Sequence, residues 1–223
     1  MRPPPIALAA AGGLARETLA AISALGGERC VVFVDDDPTL IGTAIHGVRV
    51  VGPLEILADL PEHEVVLCAG SGRTRRALHH RLVAIGVGAE RYATIIHPSA
   101  QTHSSVHIGR GSIVLAGVTA TVDVTVGEHV VVMPQALLTH DDDVGDFGTI
   151  CGGVSLGGGV SLGEGAYLGM NSAVRQHLRV GVDSTLGMGS VLVTDLPAGQ
   201  VWAGNPARPL LRPRDDRELG DDP

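Results

Sequence analysis

Aromatic side chains are almost missing: Phe33, Tyr92, Phe147, Tyr167 and Trp202 are the whole set in 223 residues, beside 31 glycines. A conventional core takes much of its volume from aromatic rings, so this one must be built from small aliphatics in a narrow space. Cysteine is scarce as well. Cys30, Cys68 and Cys151 make neither a disulfide framework nor a zinc cluster, which points to a reducing cytoplasm. Positive charge is in deficit, 16 basic against 24 acidic residues for a net charge of −8, and that argues against nucleic acid or an anionic membrane as the main partner. No apolar run approaches the roughly 18 residues of a membrane span, and Met1-Arg2-Pro3-Pro4-Pro5 lacks the apolar segment of a signal peptide. The expectation is a soluble cytoplasmic protein of one large domain or two small ones.

In place of these features the chain carries a period of six. From Ile96 the column runs Thr102, Ile108, Val114, Ala120, Val126, Val132, Leu138, Val144, Ile150, Leu156, Leu162, Leu168, Val174, Val180, Leu186 and Leu192, aliphatic throughout except at Thr102. Glycine often follows the aliphatic, at 109, 127, 145, 157, 163, 169, 181 and 187, and the fifth position is small or aliphatic in nearly every hexad. Helices repeat every 3.6 residues and strands every two, so neither fits. A hexapeptide period is the mark of a parallel β-helix, here expected to be left-handed. Each hexad gives one short strand with its aliphatic inward, and three hexads close a triangular coil that stacks on the next. The chain is expected to turn each corner at small or glycine residues that tolerate unusual φ.

Residues 1–95 lack this period. An apolar strand over 5–11 meets Gly12-Gly13 and a helical pattern from Leu14 to Leu25; a second strand over 30–34 ends at Asp35-Asp36; a third over 64–69 ends at Gly70-Ser71-Gly72, before a basic helix over 73–85. Strand, glycine turn, helix and acid-tipped strand make a Rossmann-like α/β arrangement for nucleotides. The expected organisation is an α/β domain over 1–95, an all-β left-handed β-helix over 96–208 and a charged, frayed tail over 209–223.

Interest attaches to residues that break the habits of the hexads. Leu138-Thr139-His140-Asp141-Asp142-Asp143 places His140 outward with Asp141 beside it, the preparation of a general base; a solvated acidic corner is the alternative. Asp142 falls in the fifth, inward slot, where desolvation requires it to be protonated or paired. His97, His103 and His107, with His79-His80 elsewhere, invite a zinc site, but none is in register with His140, so turn histidines and no metal are the expectation. Gly12 and Gly13 offer backbone N–H groups to a phosphate at a helix start, although the full dinucleotide fingerprint is absent. Asp35 and Asp36 suit a ribose hydroxyl or a base, or cap a turn.

Taken together, these residues resemble the nucleotide-sugar and sialic acid acetyltransferase family. The likeness spans roughly residues 5–210 and rests on Gly12-Gly13, Val34-Asp35-Asp36, Ile96-His97-Pro98-Ser99-Ala100, His140-Asp141 ahead of Val144-Gly145-Asp146, and Ala203-Gly204-Asn205-Pro206-Ala207-Arg208. The resemblance implies acetyl-CoA as co-substrate, a sugar or nucleotide-sugar acceptor, and a homotrimer with the coenzyme between neighbouring prisms. It implies His140 as base, Asp141 as the acid that raises its basicity, and Gly158 as an N–H facing the thioester carbonyl. Met170 and Met188 fall where main chain contacts the coenzyme, and Gly12, Gly13, Asp35, Asp36 and Gly70 where the sugar nucleotide is lined. The chain departs from the family at Thr149, where a histidine is frequent and a coenzyme contact is at stake. It departs also at Met133 for an asparagine, Leu14 for a histidine and Asp142 for an uncharged small residue. The competing readings are a non-catalytic nucleotide-sugar-binding trimer and a zinc lyase of the hexapeptide carbonic anhydrase type.

Overall fold

The computed structural model describes residues 3–26 and 29–210. Its N-terminal unit is a five-stranded sheet built from β1 (Ile6–Ala9), β2 (Val31–Val34), β3 (Ala44–Ile45), β4 (Val48–Gly52) and β5 (Glu64–Leu67), in the order β3-β4-β2-β1-β5. Parallel pairing joins β1 to β2 and β5, and β2 to β4. Every residue of β1 is fully buried, as a central parallel strand covered on both faces must be. The helix α1 (Gly13–Ala24) buries Leu14, Ala15, Thr18, Ala21 and Ile22, a stripe along one face. The polar helix α2 (Gly72–Ala84) buries Gly72, Arg75 and Leu82. The hairpin of β3 and β4 had no expectation attached to it; its turn, His46-Gly47, has both φ values positive, the geometry that matches strand twist in a two-residue loop.

From Ile95–Ile96 to Val191–Leu192 run 17 two-residue strands. They stack in three parallel ladders, each residue lying under the one 18 positions earlier, as in Ile96↔Val114, Thr119↔Leu137 and Asp143↔Ser161. The prism therefore has a first face through Ile96, Val114, Val132, Ile150, Leu168 and Leu186. Its second face runs through Thr102, Ala120, Leu138, Leu156, Val174 and Leu192, and its third through Ile108, Val126, Val144, Leu162 and Val180. The aliphatics of these columns from Val114 onward are buried and form one cluster.

Unusual φ is found at the corners, at glycine in six of them, but not at the glycines that follow the aliphatics. Positive φ falls two residues later than the glycine after the aliphatic, at Asp123, His129, Gln135, Asp141, Phe147, Asn171, His177 and Asp183 and at glycines in register with them. The glycine column is instead a matter of clearance between coils. A Cβ on Gly145 would stand 2.8 Å from Glu164 N, and one on Gly163 2.6 Å from Val182 N, separations that real side chains do not tolerate.

Two further strands close the base. Val201–Ala203 continues the first face under Thr185–Leu186, and Arg208–Pro209 returns antiparallel to it. Leu210 N donates to Val201 O at 2.7 Å, so Pro209 and Leu210, expected in the frayed tail, are part of the closing hairpin. The rest of that tail, 211–223, lies outside the described residues.

The N-terminal unit lies on the first face. Ile95, Ile113, Leu115 and Val131 of the prism share one buried cluster with Ile6, Leu8, Leu14 and Phe33. Lower down, α2 touches the same face so closely that a Cβ on Gly72 would collide with Phe147 O. Arg76 of α2 pairs with Glu164 and Asp183. The expected division after residue 95 thus falls inside the first strand of the prism.

Candidate active site

The prism turns sharply at each corner, with the fourth residue of the turn in the left-handed region. At the edge between the second and third faces that residue is Asp141, φ 63°. The turn carries His140 outward, and Asp141 Oδ2 lies 2.8 Å from His140 Nδ1. Both side chains are open to solvent, 59% and 67% exposed. With Nδ1 held by the carboxylate, Nε2 is the nitrogen left for chemistry.

One coil on, Gly158 occupies the slot directly below His140. A Cβ there would collide with the imidazole, its distance to Nδ1 being 2.9 Å, so the ring rests where only glycine leaves room. Gly159 N donates to His140 O at 2.9 Å and His177 N to Gly158 O at 3.0 Å. Among the described residues Gly158 N–H makes no hydrogen bond. Its slot is the one filled by Pro98 and Pro134 in other coils, residues with no N–H at all: stacking does not need this donor, and in Gly158 it is available to a ligand.

Asp142 points inward, 1% exposed. Its Oδ2 accepts from Thr139 N at 2.7 Å and its Oδ1 from Val160 N at 2.9 Å. Burial pushes the carboxyl up to about 6, against the pull of those two N–H groups.

Met170 and Met188 stack one coil apart on a different edge, between the first and second faces, 52% and 74% exposed. The structure does not bring them to His140 within one chain. They share their edge with Ala116 and Pro134, which meet α1 across a cleft of about 230 Å³.

The sugar-nucleotide candidates gather at the carboxyl ends of β1, β2 and β5, where open α/β sheets bind ligands. Gly12 is the N-cap of α1. Asp35 accepts from Ala11 N at 2.7 Å and Asp37 N at 2.9 Å, tying the ends of β1 and β2 together. Asp36 is committed to Leu54 N (3.1 Å) and to Arg81 (2.6 Å), and the guanidinium holds its carboxyl below the usual range. Both aspartates line a cleft of about 190 Å³ with Ala10, Leu54 and Thr74. A more open groove of about 720 Å³ runs along Gly13, Arg16, Glu17 and Ala20 to His46.

Residues 5–82 match the family model of the PglD N-terminal domain. The acetyltransferase domain of PglB from Neisseria gonorrhoeae FA1090 is 31% identical, with 93% of this chain and 100% of that one covered at a TM-score of 0.85. PerB from Caulobacter crescentus, solved with CoA and GDP-perosamine, is 31% identical over 92% of this chain and 97% of that one, TM-score 0.82. The chain belongs to the nucleotide-sugar acetyltransferase family of left-handed β-helix enzymes. A curated relative, the acyl-(acyl-carrier-protein)–UDP-N-acetylglucosamine O-acyltransferase of Burkholderia lata, is 34% identical over 118 residues, 53% of this chain, which spans 38% of that relative's length.

Three of the chain's departures from the family now have places. Leu14 is buried in the first turn of α1, and Met133 is half-buried between two core clusters. Thr149, the departure that puts a coenzyme or thioester contact at stake, is buried between the two units, its Oγ1 donating to Gly70 O at 3.1 Å. Beside it lies a residue that sequence reasoning passed over. Arg75 is fully buried and, among the described residues, has no carboxylate partner. It donates to Ala69 O, Gly70 O, His129 O, Phe147 O and Gly148 O, and to Thr149 Oγ1. The loop after β5 is thereby fastened to the prism.

His129 was also missed. It is 1% exposed, stacked on Phe147 at 5.2 Å and edge-on to Tyr92 at 4.5 Å, with neither ring nitrogen hydrogen-bonded. Burial holds its pKa down at about 4. His97 and His103, raised as metal candidates, instead take Ser99 and Ser105 into local turns. Among the described residues no three histidine, cysteine or acidic side chains converge on a metal position, and no helix is long and apolar enough to cross a membrane.

Proposed function

We propose that this chain transfers the acetyl group of acetyl-CoA to the amine of a nucleotide-linked aminosugar, as a cytoplasmic homotrimer with His140 as general base. The observation that carries the reading is the contact between His140 and Asp141 above Gly158. Asp141 fixes the ring and stabilises the imidazolium, leaving Nε2 to take a proton from the attacking amine. The amine nitrogen bonds to the thioester carbonyl carbon, and Gly158 N–H supports the carbonyl oxygen as it gains charge. When the C–S bond breaks, the proton on His140 passes to the departing sulfur, so that the products are an amide and free thiol. No covalent enzyme intermediate is needed, because the thioester is already activated.

The layout of the chain supports the trimer. The N-terminal unit covers the first face of the prism, and the cleft between α1 and the prism lies on the edge that carries Met170 and Met188. His140 stands on the edge between the other two faces. A sugar bound by one protomer therefore reaches the His140 of a neighbour, with the coenzyme lying between prisms along Met170 and Met188. Closed threefold symmetry repeats that contact three times. The amine is favoured over a hydroxyl by PerB, whose complex holds GDP-perosamine.

Incubation with acetyl-CoA and a panel of GDP-, UDP- and dTDP-linked amino sugars, read by free thiol, tests this. At least one amino sugar should drive release well above background. Thiol release at background with every member, while a sugar nucleotide still binds, would favour the non-catalytic trimer.

A further inference from the structure

The fifth slot of each hexad faces the prism interior, and from Ala100 to Ser190 it holds valine, alanine, serine, glycine or leucine in every hexad but one. The exception is Asp142. In one of the serine slots the hydroxyl serves the next coil: Ser112 Oγ accepts from Val130 N at 2.9 Å and donates to Gly127 O at 2.8 Å. Asp142 does more. One oxygen takes Val160 N–H of the next coil, two residues past Gly158, and the other takes Thr139 N–H, directly before His140. The carboxylate therefore stitches together the two turns that stack His140 on Gly158.

We propose that Asp142 is a positioning residue for the base: its ionised carboxylate locks the His140 turn over Gly158, and its protonation releases that turn and slows transfer. A carboxylate accepts both N–H groups, whereas a carboxylic acid carries a proton on one oxygen and loses one of the two contacts. The charged groups that act on it are His140, which favours the ionised form, and Asp141, which opposes it. The coils on either side present Val124 and Val160 in the same column. Burial brings the protonation into reach, at about 6.

This inference rests on His140 being the base, and its test separates the two. The readout is the ratio of kcat for wild type to kcat for Asp142→Ser, at saturating acetyl-CoA and amino sugar from pH 5 to 8. Ionisation of the acceptor amine is common to both proteins and cancels in the ratio. The expected ratio is about tenfold at pH 8, the scale on which partners that orient a functional group act, falling toward one at pH 5. A ratio of one throughout, or one that is the same at every pH, overturns the proposal. Asp142→Asn, nearly isosteric, serves if the serine variant does not fold. Turnover is not required for the second readout, the carboxyl-carbon resonance of Asp142 in 13C-labelled wild-type protein. A midpoint near 6 is expected, and a carboxyl that stays ionised down to pH 4 overturns the proposal. Wild type that never releases thiol sinks the transfer reading instead, and the resonance still decides the role of Asp142.

Discussion

The imidazole of His140 rests on the bare α-carbon of Gly158, one coil below it, in space that any Cβ would occupy. Gly158 has no positive φ to protect, so alanine there carries no backbone strain and keeps the N–H. Gly158→Ala should therefore displace the ring and nothing else. We expect kcat to fall by about tenfold or more, since a misplaced base forfeits much of a contribution typically worth about 10²–10⁴, with coenzyme affinity and thermal midpoint near wild type. Unchanged turnover would show that the ring position is immaterial.

His129 makes a stability prediction whose sign comes from linkage. Its folded pKa of about 4 lies below the ordinary value of 6.5, so the unfolded chain binds the proton first as pH falls. Stability is complete above about 6.5 and declines below it, by roughly 3 kcal/mol at the most once pH reaches 4. His129→Phe removes this loss. It also removes two unpaired ring nitrogens from an aromatic cluster, which should stabilise the protein by about 1–2 kcal/mol at pH 7.5. Denaturant unfolding at pH 7.5 and 5 checks both parts.

Arg75 holds the loop after β5 against the prism through five carbonyls and Thr149. Arg75→Met leaves Ala69 O, His129 O and Phe147 O without their donor, while Gly148 O keeps Val131 N and Gly70 O keeps Thr149 Oγ1, at a cost of about 3 kcal/mol or more. The loop contains Gly70 of the sugar-nucleotide group, so KM for the acceptor should rise while KM for acetyl-CoA stays level. Equal changes in both would mean that the clamp serves stability alone.

How much of this was legible in the sequence depends on the range of the contacts involved. The column from Ile96 to Leu192 is correct residue by residue, because a narrow prism admits one side-chain type per slot and repeats it every six positions. The inward place of Asp142 followed from the same register. Arg75 was not legible. It sits among Arg73, Arg76 and Arg81 in a helix of ordinary basic appearance, and its prism partners lie 54 to 74 residues away. His129 likewise looks like one more turn residue until α2 covers it. The reason for glycine directly after the aliphatic was not legible either, because crowding between coils is invisible in a linear pattern.

The proposed division of the site between protomers can be read from mixtures. Gly12 has open space where its Cβ would be, so Gly12→Phe should block the sugar-nucleotide groove without disturbing the fold. Neither Gly12→Phe nor His140→Ala protein should turn over alone. Trimers formed at random from equal amounts of the two should recover about a quarter of wild-type activity, because one neighbour then supplies the groove and the other the base. No recovery in verified mixed trimers would place groove and base in the same chain.

The central claim, that His140 takes the proton of the attacking amine, is met most directly by thiol release from acetyl-CoA in the His140→Ala variant at saturating amino-sugar nucleotide. Loss of the base should lower kcat by about 10²–10⁴, with the trimer intact and coenzyme bound as tightly as before. Turnover within a few-fold of wild type would contradict it.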